Sequence, residues 1–381
     1  MLLFLMLLAA VIAYEIQKQV FRIWYKKGLV VKIGFQSDYI LQGQTGQVRE
    51  VIENRKWMPL PVVHVSFHTG NGLEFKNQQN MNVSDTTSRR DAFSLLWNQR
   101  ITRSLTFQGK QRGHYFIETA DINVYNFLMT KKYYIEQKQT AQIYVYPKHI
   151  STEKLNILME RIFGMQQGQD RFYEDILSFA AIRDYIPGDE KKRINQKASA
   201  KAGKLLVNVY DSVMAQKVVI LLDVSDKGIW KQQDLTEEGI ALAASLSQRL
   251  LKAGNDVAIY SNGRAGEGPL CIPFGRDHGK LHRICRGLSD IDLTKVPEDT
   301  EKMIARAVRH NKELDGIYLL ISKNAKERYD ISLKEQLMEW NPKNFGNVSM
   351  HLLPCHRTLT GEKQQFPMTS GVEQIVWEVE G

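Results

Sequence analysis

The sequence predicts a multi-domain α+β protein: an N-terminal transmembrane helix, an antiparallel β-sandwich, then a doubly wound α/β domain. Three observations predict it. A charge-free run opens the chain, strands of period two fill the segment up to Pro147, and strands then alternate with helices. A length of 381 residues suits two or three domains. With 43% hydrophobic and 24% charged residues, the composition excludes collagen-like, low-complexity and wholly disordered chains. Lys and Arg outnumber Asp and Glu by 51 to 42, and the net charge of +9 favours phosphate-rich or anionic-lipid neighbours without choosing between them. The cysteines, Cys271, Cys285 and Cys355, are odd in number and form no CxxC. They argue against a disulfide scaffold or structural zinc site, and for a reducing compartment.

The opening run, Met1 to Tyr14, reads MLLFLMLLAAVIAY. As a helix it covers about 21 Å, short of a hydrocarbon core of about 30 Å. Sparser apolar residues continue it through Ile16, Val20, Phe21 and Ile23 to Trp24 and Tyr25. The two aromatics suit an interfacial belt, and Lys18 and Arg22 can snorkel. No basic residue precedes the run, as a secretory signal would require, while Lys18, Arg22, Lys26, Lys27 and Lys32 follow it. Residues 1–27 are therefore expected to form a single-pass anchor in the cell membrane, with the bulk of the chain cytoplasmic. A buried hydrophobic helix is the alternative.

Residues 28–150 are expected to form the β-sandwich. Val48, Val51 and Ile52 sit among Gln47, Arg49 and Glu50, and Val62 to Phe67 alternates with period two. Gly70 to Gly72 and Gly109 to Gly113 are turn material, and Ile143 to Tyr146 closes the block before Pro147. Residues 151–215 read as a connecting segment that opens with a helix face of Leu155, Leu158, Met159 and Ile162. Residues 216–381 read as the α/β domain. Val218 to Leu222 is an unbroken apolar run, as a central parallel strand requires. A helix is expected from Leu235 to Lys252, strands at Asp256 to Tyr260, Gly316 to Ser322 and Val348 to Leu353, and a helix from Glu301 to His310.

Within the connecting segment stands RDYIPGDEKKRINQKASAKAGKLLVNVY. Pro187 and Gly188 suit the centre of a type II turn. Arg183, Arg193, Lys197 and Lys201 read either as an anion-binding edge or, ahead of it, as a solvated, salt-bridged loop. The segment resembles the signature of the domain-of-unknown-function 58 family, Arg-x-Tyr-x-Pro-Gly-Asp followed by Arg-x-Ile-x-Trp-Lys-x-Ser-Ala-Arg. Arg183, Tyr185, Pro187, Gly188, Asp189, Arg193, Ile194, Lys197, Ser199 and Ala200 stand at its positions, whereas Gln196 replaces Trp and Lys201 replaces Arg. The loss of the indole weakens a stacking role for this edge. Arg112-Gly113-His114-Tyr115 resembles the family's Arg-Gly-x-Tyr. Asn123 to Leu128 resembles its Asp-Pro-Phe-Gly stretch more loosely.

Asp223-Val224-Ser225 follows the first α/β strand and resembles the Asp-x-Ser-x-Ser metal-ion-dependent adhesion site of von Willebrand factor type A domains. Such a site holds a hard cation by carboxylate and hydroxyl oxygens at the carboxyl end of a parallel sheet. Asp223 and Ser225 match. Lys227 stands for the second Ser, and Ser322-Lys323 stands where Thr or Ser is followed by Asp. Two lysines oppose a divalent ion, so a degenerate, metal-free site is expected, with a rearranged one using Asp226 as the alternative. No cofactor is expected, magnesium being the alternative.

The enzyme motifs are absent: no phosphate loop, no G-x-G-x-x-G after a strand, no H-E-x-x-H, no G-x-S-x-G. His278 and His282 are spaced as zinc pairs are, but no carboxylate motif completes them. The expected function is a membrane-anchored, non-enzymatic scaffold or adaptor for protein partners. The family resemblance implies a MoxR-type AAA+ ATPase as partner, in assembly or maturation of other proteins. The alternative is a hydrolase or phosphoryl-handling enzyme using Arg183, Asp184 and Asp189. No nucleic-acid motif appears, and no nucleic-acid partner is expected.

Overall fold

The computed structural model describes residues 2–76, 81–83, 86–164, 179–185, 194–210, 216–226, 232–275, 277, 279–312, 316–323, 334–336, 338–339, 348–357 and 372–379. It is a mixed α/β protein with one apolar N-terminal helix and several sheets. The chain divides into two units, Met1–His149 with Cys285–Asp292, and Ile150–Ile284 with Leu293–Gly381.

The first unit opens with α1 (Leu2–Trp24). Phe4 to Trp24, 21 residues, is long and apolar enough to cross a membrane, with mean hydropathy 1.4 over an 18-residue window. Ten strands follow: β1 (Leu29–Phe35), β2 (Tyr39–Leu41), β3 (Thr45–Asn54), β4 (Leu60–Gly70), β5 (Leu73–Phe75), β6 (Met81–Val83), β7 (Thr86–Leu95), β8 (Arg100–Gly109), β9 (Gly113–Tyr125) and β10 (Lys132–Tyr146). They form two sheets, ordered β1-β3-β8-β5 and β2-β10-β9-β4-β7-β6. One pair departs from the expected antiparallel pattern: β2 lies parallel to β10, with Tyr39 opposite Tyr144.

Alternation sets which face is buried. Along β3, residues 46, 48, 50, 52 and 54 are buried in strict period two. Val31, Val48, Ile52 and Phe107 of one sheet and Val65, Phe67, Ile117 and Ile122 of the other belong to one core. Each such side chain contributes about 1.5–3 kcal/mol on burial, and a one-residue slip would turn a whole set to solvent. The turn between β4 and β5 needs glycine for space. A Cβ on Gly72 would lie 1.7 Å from the Tyr115 hydroxyl, which itself donates to the Gln111 carbonyl at 2.9 Å.

The second unit contains α2 (Thr152–Gly164), β11 (Phe179–Asp184), α3 (Gln196–Ala202), β12 (Leu206–Tyr210), β13 (Lys217–Leu222), α4 (Gln233–Lys252), β14 (Asp256–Ala265) and β15 (Gly268–Ile272). Next comes α5 (Lys280–Ser289), whose last residues belong to the first unit. Then follow α6 (Thr300–His310), β16 (Gly316–Ser322), β17 (Ser349–Arg357), β18 (Glu373–Gln374) and β19 (Trp377–Val379). The large sheet runs β15-β14-β13-β16-β17-β18, with β19 also beside β17. β13 is parallel to both its neighbours, and Val218 to Leu222 are all buried, as a strand covered on both faces must be. Met303, Ile304, Ala307 and Val308 of α6 share a core with Val219, Leu221, Tyr260 and Leu320. β14 runs beyond the expected Asp256 to Tyr260 because it forms a hairpin: Ala265 pairs with Gly268 across Gly266, whose φ of +72° suits the turn.

Candidate functional site

Strand order reverses at β13, whose neighbours β14 and β16 lie on opposite sides, so its carboxyl end opens at a switch point. The register builds the site. Leu222 pairs with Ser261 on one side and with Ile321 on the other, so the next residues, Asp223, Asn262 and Ser322, come together. Asp223 Oδ1 accepts from the Ser225 amide at 3.0 Å, Ser225 Oγ at 2.6 Å, Asn262 Nδ2 at 2.7 Å and Thr300 Oγ1 at 3.1 Å. Ser322 Oγ donates to Oδ2 at 2.7 Å. All five residues are buried. Asn262 also holds the chain beyond β13, its Oδ1 accepting the Val224 amide at 2.8 Å. Hydrogen bonds to a charged group are each worth about 1.5–3 kcal/mol, so this carboxylate joins the ends of β13 and β16 and the middle of β14 to the start of α6.

The second acid of the loop is engaged elsewhere. Asp226 Oδ2 lies 2.6 Å from Lys323 Nζ and accepts the Gln232 amide at 2.7 Å. Lys323 also donates to the Gln232 carbonyl at 3.3 Å. Thus Lys323, which the sequence places at a metal-ligand position, neutralises Asp226. Lys227 lies outside the described residues. The donors are hard oxygens of the right kind for a small divalent cation. Yet among the described residues only Asp223 brings a carboxylate to the centre, and both its oxygens already accept from protein donors. Among the described residues no three of His, Cys, Asp and Glu gather as metal ligands. The set fits a hydrogen-bonded clasp better than a cation cradle.

The described parts of the signature segment lie in an antiparallel strand pair and the short helix α3 between its strands. Arg183 lies in β11, which pairs with β12. Tyr185 donates its amide to the Leu205 carbonyl at 2.9 Å, and the exposed Asp184 pairs with Lys204 at 2.8 Å. Ile194 bridges to Val207. Asn195 caps α3, accepting the Ala198 amide at 2.9 Å. Ser199 Oγ accepts the Leu206 amide at 2.8 Å, which ties α3 to β12. Lys197, Ala200 and Lys201 are exposed. The turn residues Pro187, Gly188, Asp189 and Arg193 lie outside the described residues, as does His278.

Residues 181–337 match the family model described as protein of unknown function DUF58. The chain carries a DUF58 domain. The match begins inside β11 and takes in the strand pair, the Asp223 clasp and the Asp226–Lys323 pair. No curated protein matches the chain. Among solved structures, an Escherichia coli α2-macroglobulin fragment from domain MG7 to the C-terminus is similar at 18% identity and TM-score 0.24, over 31% of this chain and 16% of that one. The CARDB domain of a Pyrococcus furiosus protein, solved with di-metal ions, is similar at 13% identity and TM-score 0.21, over 31% and 94%. A non-cellulosomal cohesin of Archaeoglobus fulgidus is similar at 14% identity and TM-score 0.20, over 34% and 96%. Likenesses this weak carry no argument about this chain.

Two residues of the clasp escape motif reading. Asn262 and Thr300 belong to no part of the Asp-x-Ser pattern, but aligning the ends of the three parallel strands would have found Asn262. Thr300, the first residue of α6, carries no such signal. Upstream, Arg112 has a structural partner that its motif does not disclose. Its Nη1 donates to the carbonyls of Leu288, Ser289 and Ile291 at 2.8, 3.2 and 2.9 Å, closing the carboxyl end of α5.

Proposed function

We propose that the protein is a single-pass membrane-anchored, non-enzymatic scaffold, and that its cytoplasmic β-sandwich and type A-like DUF58 domain bind protein partners. The observation that carries the reading is α1. Phe4 to Ala13 are exposed without a break, and a soluble protein does not leave such a run of Leu, Met, Phe and Val in water. The basic residues that follow the run support a cytoplasmic bulk. The family resemblance supports a MoxR-type AAA+ ATPase as partner, in assembly or maturation of other proteins. Asp223 is taken as a metal-free clasp, since both its oxygens already accept from protein donors. An enzymatic use of Asp184 gains no support from its exposed pairing with Lys204.

Crosslinking in native membranes followed by mass spectrometry tests the partner: an AAA+ ATPase is expected among the products, and its persistent absence overturns that part. Protease treatment of intact cells and of inverted vesicles tests the topology. The bulk is expected to resist from outside and to be cut in inverted vesicles. Calorimetry with Mg²⁺, Ca²⁺ and Mn²⁺ is expected to give no binding heat that Asp223→Ala abolishes.

A further inference from the structure

Among the described side chains of α1, Phe4 to Ala13 are exposed, and burial against the rest of its unit begins at Tyr14. Tyr14 Oη lies 3.2 Å from Thr130 Oγ1. Phe21 is fully buried, its ring meeting Phe127 edge-on at 5.7 Å and Tyr133 at 5.6 Å. Trp24 meets Trp57 at 6.2 Å, and Tyr25 stacks on Tyr133 at 4.6 Å. The part before Tyr14, residues 2–13, is about 18 Å long at 1.5 Å per residue, against a hydrocarbon core of about 30 Å. The shortfall of about 12 Å corresponds to roughly eight further residues of helix, the stretch from Tyr14 to Phe21. Placing α1 across a full bilayer therefore immerses that stretch, together with whatever is packed beside it.

What is packed beside it is the β9–β10 turn. This turn exposes three consecutive apolar side chains, Phe127 at 43%, Leu128 at 60% and Met129 at 62%. It is built as a fixed tip. Asn126 is fully buried, donates Nδ2 to Thr130 Oγ1 at 2.9 Å, and accepts the Lys131 amide at 3.0 Å and the Met129 amide at 2.9 Å. Met129 is held at φ +54°, a left-handed conformation that a methionine rarely adopts. Of the polar side chains in that stretch, Glu15 and Lys18 pair at 2.9 Å, a lysine stem can carry its head toward the interface, and the Gln17 amide is buried against the unit without a hydrogen-bond partner among the described residues. Exposed Lys131 and Lys132 follow the tip, and exposed Arg22, Lys26 and Lys27 follow the helix, a cationic collar suited to anionic headgroups.

We propose that Phe127, Leu128 and Met129 enter the bilayer beside α1 and share the anchoring with it, because the helix reaches across the hydrocarbon core only by immersing the stretch packed against this turn. The inference rests on the single-pass reading of α1. The test uses the full chain, with Cys271→Ser, reconstituted in phosphatidylcholine vesicles containing phosphatidylserine. Cys285 and Cys355 are buried. Nitroxide labels are placed at Leu128→Cys, at Leu7→Cys on the exposed part of α1, and at Val296→Cys, an exposed site of the second unit. Collision rates are read with oxygen, which concentrates in lipid, and with a water-soluble nickel chelate. The expected result is a label at 128 that resembles the one at 7, with nickel collisions several-fold below those at 296. A lipid-like label at 7 with a nickel-accessible label at 128 overturns the inference and leaves the anchor standing. A label at 128 shielded from both reagents shows a protein contact, a second copy or a partner, and also overturns it. A nickel-accessible label at 7 overturns the anchor itself.

Discussion

Glu50 sits on β3 with 1% exposure, and among the described residues neither of its carboxylate oxygens meets a hydrogen-bond donor. Burial, and then the negative charge of Asp91, push its pKa up to about 7. Arg103 and Arg89 pull the other way but are committed to Asp91, at 2.9 and 2.7 Å. Because the folded state holds this proton more tightly than the unfolded chain, stability is highest below the ordinary carboxyl pKa. It falls as pH rises through about 7, by about 3 kcal/mol in all. Glu50→Gln is expected to remove that slope and to be the more stable protein at pH 8 by about 2–3 kcal/mol. Urea unfolding at pH 5.5 and pH 8 measures it, and an unchanged slope in the variant refutes the assignment. The sequence reading grouped Glu50 with the polar residues around Val48 and Ile52. Period two in fact places it between them on the buried face, which composition alone conceals. Asp223 is the opposite case, a buried carboxylate with its donors in place. Asp223→Ala removes the acceptor those donors share and is expected to cost at least about 3 kcal/mol, against about 1 kcal/mol for Ser225→Ala. Equal losses would show that the clasp does not centre on Asp223.

Elements were legible where a period ran long enough to read. The helix expected at Leu235 to Lys252 is α4 (Gln233–Lys252), and the run Val218 to Leu222 falls within β13 (Lys217–Leu222). Periodicity reports which face is buried, and says nothing of what a side chain meets far along the chain. Arg112 is the plain example: the carbonyls it serves lie 176 to 179 residues away. Its guanidinium satisfies carbonyls that the end of α5 would leave without partners. Arg112→Gln is expected to speed amide exchange selectively in the last turn of α5, with α4 unaffected as the internal control. Uniform acceleration of both helices would argue for a general loss of stability instead.

At the scale of the whole molecule, the charge surplus found in the composition has places. Part of it follows α1, part follows the β9–β10 turn, and Lys323 balances Asp226. Adding phosphatidylserine to neutral vesicles is expected to tighten association of the full chain, and raising salt to weaken that increment while leaving the apolar part intact. Co-sedimentation across a salt series separates the two, and an increment indifferent to salt would remove the role given to the collar. The sequence carried the order of the chain's segments because each has its own hydrophobic period. The meeting of Asp223 with Ser322 was legible from the motif resemblance, whereas the arrival of Asn262 and Thr300 was not, since no motif names them and it depends on segments far apart in the chain being brought side by side.

The joint between α1 and β1 is short and closed. Lys56 Nζ donates to the carbonyls of Tyr25 and Lys27 at 3.0 and 2.9 Å, Tyr25 stacks on Tyr133, and Phe21 is sunk in the core. A helix fastened in this way has no swivel. A change in its tilt, the usual response to a bilayer of different thickness, is passed on as a rotation of the whole two-sheet unit. On the proposed single-pass reading the helix would act as a lever, with membrane thickness setting which side of that unit faces the lipid.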